Sequence, residues 1–281
     1  MLLPSAWDLT AVPSQRQQSE EVFSFFLFTK RRLPFPGLLL AERPVTSPRG
    51  LDMEITAEPY GLDLRPGAAA LLIIDMQRDF LEPGGFGAML GNDVGQLRRT
   101  IAPNQRLLAA WRAARLPVIH TREGHRPDLT DLPPAKKIRG RSATSIGDPG
   151  PMGRILVRGQ AGHDIIPELA PKPNEPVIDK PGKGAFFATD LHAILQNLGI
   201  TQLVVTGVTT EVCVNTTVRE ANDRGYDCLV VSDCCGSYFP EFHRIGLEMI
   251  KAQGGIFGWV AGLDAVLAGL ETTTLLQGAA E

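Results

Sequence analysis

Cys213 is the residue in this chain best placed to do chemistry. The run Leu203–Val208 is short, apolar and β-branched, which predicts a buried strand. Thr209–Val214 follows at once, and the helical pattern continues through Asn215–Arg224 to a stop at Gly225. Cys213 is therefore expected in the first turn of a helix, at the carboxyl end of a parallel strand. Ligands bind along that edge in open α/β sheets. A helix N-terminus also carries partial positive charge and unpaired N–H groups, which lower a thiol pKa and can hold an oxyanion. One address offers a nucleophile and the means to stabilise its transition state.

Two more side chains sit at comparable places. Asp75 closes the apolar run Ala70–Ile74. It serves either as a cap for the following turn or as a general base that accepts the Cys213 proton. Lys180 follows Val177 and Ile178 and precedes Pro181-Gly182-Lys183-Gly184. A lysine leaving a strand for such a loop is ordinarily a solvated charge. Beside an aspartate and a thiol it would hold a thiolate and polarise a substrate carbonyl. The glycine-rich stretch lacks the phosphate-loop pattern.

The elements that must carry these residues alternate from Ala68 onward. Strands are predicted at 70–75, 117–121, 176–179, 203–208, 228–233 and 256–260, with helices at 93–114, 190–198, 209–224, 242–252 and 263–270. Strands alternating with helices give βαβ units with right-handed crossovers. The expected fold class is α/β, a three-layer sandwich around a mostly parallel, Rossmann-like six-stranded sheet. The stretch from Glu123 to about Pro151 is rich in Pro, Gly and charge and too long for a plain connection, which marks it as site-forming or interfacial. Residues 1–52 hold scattered prolines and polar runs with no element that pairs with a neighbour. They are expected to be a poorly ordered extension, or the product of a start codon placed too early, before a domain at 53–281.

With 43% hydrophobic and 21% charged residues and a formal net charge of −3, the chain reads as an ordinary globular domain. That balance gives no reason to expect nucleic acid or an anionic membrane as partner. No apolar stretch approaches the roughly 20 residues of a membrane helix. Phe23–Phe28 is followed rather than preceded by its basic residues, unlike a secretory signal. The four cysteines (Cys213, Cys228, Cys234, Cys235) lack zinc spacing, and no disulfide framework is expected, which fits a reduced cytoplasm. His120 reads as a satisfied core residue, and His163, His192 and His243 have no spacing that suggests chemistry.

The segments Ile74–Phe80, Lys180 on its loop, and Gly207–Val214 resemble the isochorismatase-like cysteine hydrolases. The order and spacing of Asp, Lys and Cys match that family's triad, over about Leu64 to Leu270. The resemblance implies Cys213 as nucleophile, Asp75 as base and Lys180 as charge partner. It further implies a cis Val208–Thr209 peptide, with the N–H groups of Thr209 and Cys213 as oxyanion hole. Thr121–Asp128, Ile146–Pro151, Asp164–Leu169, Asp179–Gly184 and Arg219–Gly225 are similar to the subgroup acting on biuret and triuret. In that match Gln253 would contact a urea-like substrate, since its amide both donates and accepts. Phe80, Phe86 and Phe187 are the candidate pocket walls.

The expected activity is release of ammonia from a small ureide through a covalent cysteine intermediate, with triuret or a ureidoacrylate-type acyl urea as alternatives to biuret. A non-catalytic binding module of the same family is the rival of another class. Fast alkylation of Cys213 would separate the two. Metal-dependent nicotinamidases of the superfamily carry Asp-x-His and a further His, whereas this chain has Glu123-Gly124-His125 and no second His before Asp131. Two ligands make a poor metal site, so no metal and no cofactor are expected, and Glu123 and His125 are read as structural or substrate-shaping. Family members are commonly tetramers, so the implied partners are a small ureide and further copies of the chain.

Overall fold

Alternating burial fixes the architecture around one strand. In β3 (Ala69–Ile74) all residues are buried, yet Ala69, Leu71 and Ile73 join one apolar cluster while Ala70, Leu72 and Ile74 join another. A strand buried on both faces needs a helical layer on each. This computed structural model describes residues 52–137 and 144–278. The expected 1–52 extension falls outside them up to residue 51.

The strands are β1 (Met53–Ile55), β2 (Leu62–Leu64), β3, β4 (Val118–Glu123), β5 (Pro149–Gly150), β6 (Gly153–Arg154), β7 (Val177–Lys180), β8 (Gln202–Val208), β9 (Asp227–Gly236) and β10 (Trp259–Ala261). Six of them form a parallel sheet in the order β10-β9-β8-β3-β4-β7. On one face lie α1 (Ile101–Ala113) and the final helix Leu263–Gly278, through Leu107, Leu108, Trp111, Leu263 and Val266. On the other face Leu191 and Leu195 of Leu191–Asn197, Val218 and Ala221 of Asn215–Asn222, and Ile250 of Pro240–Gly255 close the second cluster. The three-layer α/β sandwich expected from the sequence is the observed fold.

Several boundaries differ, each for a local reason. The helix predicted at 93–114 is two, Val94–Arg98 and α1, because Thr100 Oγ1 donates to the Leu97 carbonyl where the chain turns. The segment Met53–Leu64 is an antiparallel β1–β2 pair whose strands are too short for a clear alternating pattern. The last strand is Trp259–Ala261 rather than 256–260, since the helix before it extends to Gly255 through a kink at Ala252–Gly254. The long segment after Glu123 folds into the four-residue helix Pro134–Lys137, the β5–β6 hairpin and two short turns. A third apolar cluster lies beneath it, formed by Leu132, Ile146, Ile155 and Leu156.

Candidate active site

Cys213, Asp75 and Lys180 leave three different strands at the carboxyl edge of the sheet, where the predicted ligand edge lies. Asp75 is the first residue after β3 and takes a left-handed conformation (φ 51°), which Asp tolerates better than most side chains. The turn is held from both sides. Its N–H donates to the Thr121 carbonyl and hydroxyl (3.2 and 3.3 Å), and its Oδ1 accepts from Thr121 Oγ1 (2.7 Å). Neighbouring Gly207 sits at φ 107°, and a Cβ there would lie 2.0 Å from the Ile74 carbonyl oxygen. Only glycine lets β8 pass so close to the residue before Asp75.

The predicted helix start at Cys213 takes another form. Thr210–Val214 is a π-helical turn, and the regular helix begins at Asn215. The Thr209 carbonyl accepts the N–H groups of both Val212 and Val214 (3.2 Å each). Asn215 Nδ2 ties the turn to the helix Pro240–Gly255 by donating to the Thr210 and Gly246 carbonyls (2.9 and 3.2 Å). His243 Nδ1 meets Thr210 Oγ1 at 2.8 Å, a structural use that its spacing did not signal. Such wide turns recur at functional sites. The Val208–Thr209 peptide is cis, the form implied by the family resemblance.

The three side chains converge in the interior. Lys180 and Asp75 are fully buried and Cys213 is 5% exposed. Lys180 Nζ lies 2.7 Å from Asp75 Oδ2 and donates to the Gly182 and Lys183 carbonyls at 3.1 and 2.9 Å. Burial alone would push Lys180 down, but Asp75, then the Cys213 sulfur and Glu123, outweigh it and hold the ammonium above its ordinary value. Burial pushes the Cys213 thiol well up. Asp75 and Glu123 add to that rise, while Lys180 and Lys183 oppose it. The balance favours the thiol over the thiolate.

Glu123, read from the sequence as structural or substrate-shaping, is the fourth member of this cluster. It is fully buried at the end of β4, and Cys213 Sγ donates to its Oε2 at 3.6 Å. Lys183 Nζ meets both its oxygens (2.8 and 3.2 Å), and Lys136 Nζ reaches Oε1 at 2.9 Å. Burial would raise the Glu123 carboxyl, but Lys180, Lys183 and Lys136 overcome that and bring it to about 2. Gln77 fixes its backbone, accepting from the Glu123 N–H (2.7 Å) and donating to the Glu123 and His163 carbonyls (2.9 and 3.0 Å). Little in the sequence signals it, because His120-Thr121-Arg122 before Glu123 is polar, unlike the apolar run before Asp75.

His125 turns to other partners. Its Nε2 lies 3.0 Å from Lys136 Nζ and its Nδ1 3.2 Å from Asp131 Oδ1. Burial and Lys136 lower its pKa, and a neutral ring that accepts at Nε2 and donates from Nδ1 fits both partners. Donor atoms of Asp75, Glu123 and Cys213 do lie within 4.8 Å of one another, a spacing a metal ion could use. The Lys180 ammonium, 2.7 Å from Asp75 and 4.0 Å from Glu123, already supplies positive charge there.

The proposed pocket residues scatter more widely. Phe80 and Phe86 are half-buried against the third apolar cluster, beside Leu132, Ile155 and Leu156. Phe187 is 60% exposed, with its ring over Gly182 in the Lys180 loop. Gln253 is exposed at the kink of its helix, left-handed (φ 52°) and with no polar partner among the described residues. His120 is buried as expected, with Nε2 on Glu175 Oε2 at 3.0 Å.

Residues 69–262 match the isochorismatase domain family. A cysteine hydrolase from Pseudomonas syringae pv. phaseolicola is 27% identical with a TM-score of 0.64, over 75% of this chain and 95% of that one. An isochorismatase family protein from Desulfovibrio vulgaris is 28% identical with a TM-score of 0.59, over 73% and 98%. N-carbamoylsarcosine amidase from Thermoplasma acidophilum shares the fold at 24% identity and a TM-score of 0.53, over 70% and 96%.

Proposed function

The chain belongs to the isochorismatase family, and from that membership and its buried thiol site we propose that it is a cysteine-dependent amidohydrolase acting on a small ureide of the biuret type. The observation that carries the reading is a thiol, a carboxylate and an ammonium converging at the carboxyl edge of the sheet, with Lys180 2.7 Å from Asp75. Seating of the substrate carbonyl beside Cys213 begins the reaction. Asp75 takes the thiol proton, and the thiolate, facing Lys180, attacks a terminal carbamoyl carbon. The N–H groups of Thr209 and Cys213 hold the tetrahedral oxyanion. Donors of this kind contribute roughly 3–4 kcal/mol in comparable acyl transfers.

The C–N bond then breaks. Asp75 returns the proton to the leaving nitrogen, and ammonia departs from an S-acyl enzyme. Water, deprotonated by the same Asp75, attacks that thioester and releases Cys213. The ureide reading rests on segments such as Thr121–Asp128 and Asp179–Gly184, which resemble the biuret and triuret subgroup. Phe187 over Gly182 and the exposed Gln253 are its proposed substrate contacts.

Ammonia release from biuret, triuret, ureidoacrylate and nicotinamide, measured side by side, tests the proposal. Biuret is expected to give the highest kcat/KM. Preference for triuret or ureidoacrylate would move the substrate within the class, and turnover of nicotinamide alone would sink the ureide reading.

A further inference from the structure

Two carboxylates stand beside one thiol, and they have unequal company. Asp75 has one ammonium partner, Lys180, at 2.7 Å. Glu123 has two in direct contact, Lys183 at 2.8 Å and Lys136 at 2.9 Å, with Lys180 at 4.0 Å. Yet the thiol donates to Glu123, at 3.6 Å. A carboxylate crowded by ammonium groups is the poorer base, so its acceptance of the S–H does not make it the group that removes the proton.

We propose that Glu123 is the positioning residue of the nucleophile, aiming Cys213 as a protonated thiol while Lys136 and Lys183 fix the carboxylate from the far side. This deepens the cysteine-hydrolase reading and rests on it. The arrangement has a sterically defined frame. Gln77 clamps the Glu123 backbone on both its N–H and its carbonyl. Lys136 also donates to the Pro181 carbonyl at 2.7 Å, so one ammonium links Glu123 to the loop that carries Lys180 and Lys183. Glu220 receives the Phe186 N–H at 3.0 Å from that same loop, and a Cβ on Gly184 would lie 2.1 Å from its carboxylate. The lysines on Glu123 are therefore held by contacts that do not depend on substrate.

A consequence follows for the charges around the sulfur. Asp75 and Glu123 disfavour the thiolate, and Lys180 and Lys183 favour it. Lys136, His125 and Asp131 stand behind Glu123, and Tyr238 and Glu211 lie on the side of the π turn. Removing the Glu123 charge leaves Lys136 and Lys183 uncompensated. The thiol must then ionise more easily. Removing Lys183 instead must make it ionise less easily.

The test is the pH dependence of Cys213 alkylation by iodoacetamide, read by mass spectrometry of the Cys213 peptide in the full-length protein. In Glu123→Gln the midpoint is expected to fall by roughly one unit or more, the usual effect of a charge within about 4–6 Å, giving about tenfold faster alkylation at neutral pH. Turnover should fall in the same variant because the S–H is no longer held for transfer to Asp75. In Lys183→Met, whose lysine side chain is 46% exposed, the midpoint is expected to rise. Opposite shifts support the assignment, since mere loosening of the site would move both variants the same way. Unchanged midpoints, or shifts of one sign, would overturn it. Alkylation needs no substrate, so absence of ureide turnover with the opposite shifts intact would count against the ureide and not against Glu123.

Discussion

Burial makes each charge in this site dependent on the next. Lys180 is fully buried and shares Asp75 with no water-exposed alternative, so removing either leaves an uncompensated buried charge. Lys180→Met is expected to cost about 3–5 kcal/mol of stability as well as abolishing turnover, checked by urea unfolding alongside ammonia release. Replacement of Cys213 should separate stability from chemistry. Cys213→Ser is expected to unfold at nearly the wild-type denaturant concentration while kcat falls roughly a thousandfold or more. Near wild-type ammonia release from that variant would remove Cys213 from the mechanism. The convergence of Cys213, Asp75 and Lys180 was legible because each lies at or just beyond the end of a predicted strand and the three match a family's motif order. Glu123 follows the polar His120-Thr121-Arg122, and its three lysines come from Pro134–Lys137, the end of β7 and the loop after it. No sequence spacing brings those together.

At the scale of elements, the site is positioned by the parallel pairing of β3 and β8. Ile74 pairs with Gly207 across the ladder, and the next residues are Asp75 on one strand and, after Val208, Thr209 on the other. Gly207→Ala places a methyl group 2.0 Å from the Ile74 carbonyl oxygen and forces φ 107° on a residue with a Cβ. A loss of about 3 kcal/mol or more is expected, seen as a lower thermal midpoint, with a larger proportional loss of activity. The strands of the sheet were readable because continuous apolar β-branched runs have few alternatives. The π turn at Thr210–Val214 was not, because the helical pattern of 210–222 is the same whether the first turn is α or π. What decides it is the grip of Asn215 on the Thr210 and Gly246 carbonyls, the second from the helix Pro240–Gly255.

For the whole molecule, β4 joins two buried carboxylate centres at opposite ends of the sheet. Glu123 lies at its carboxyl end. Near its start His120 meets Glu175, which also takes two hydrogen bonds from Arg112 at 2.7 Å each. Burial would raise Glu175, but Arg112, the Lys172 N–H and His120 bring it to about 2. Both folded-state values lie below the ordinary 4.5. Their stabilisation is therefore present above about pH 4.5 and lost as pH falls toward about 2, where the folded forms take up their protons. Acid unfolding of the wild type should steepen in that window, and Glu123→Gln and Glu175→Gln should each flatten it; a profile unchanged by both would refute the linkage. The amino-acid sequence by itself determined the alternation of strands and helices, the sheet edge where Asp75, Lys180 and Cys213 emerge, and the family to which their order belongs. Apolar periodicity and short-range motifs carry that much. Tertiary structure alone decided that the Cys213 thiol meets Glu123, that Lys136 and Lys183 hold Glu123, and that burial pushes the thiol up. Those outcomes depend on which charges burial brings within a few ångströms, and residues far apart in the chain supply them.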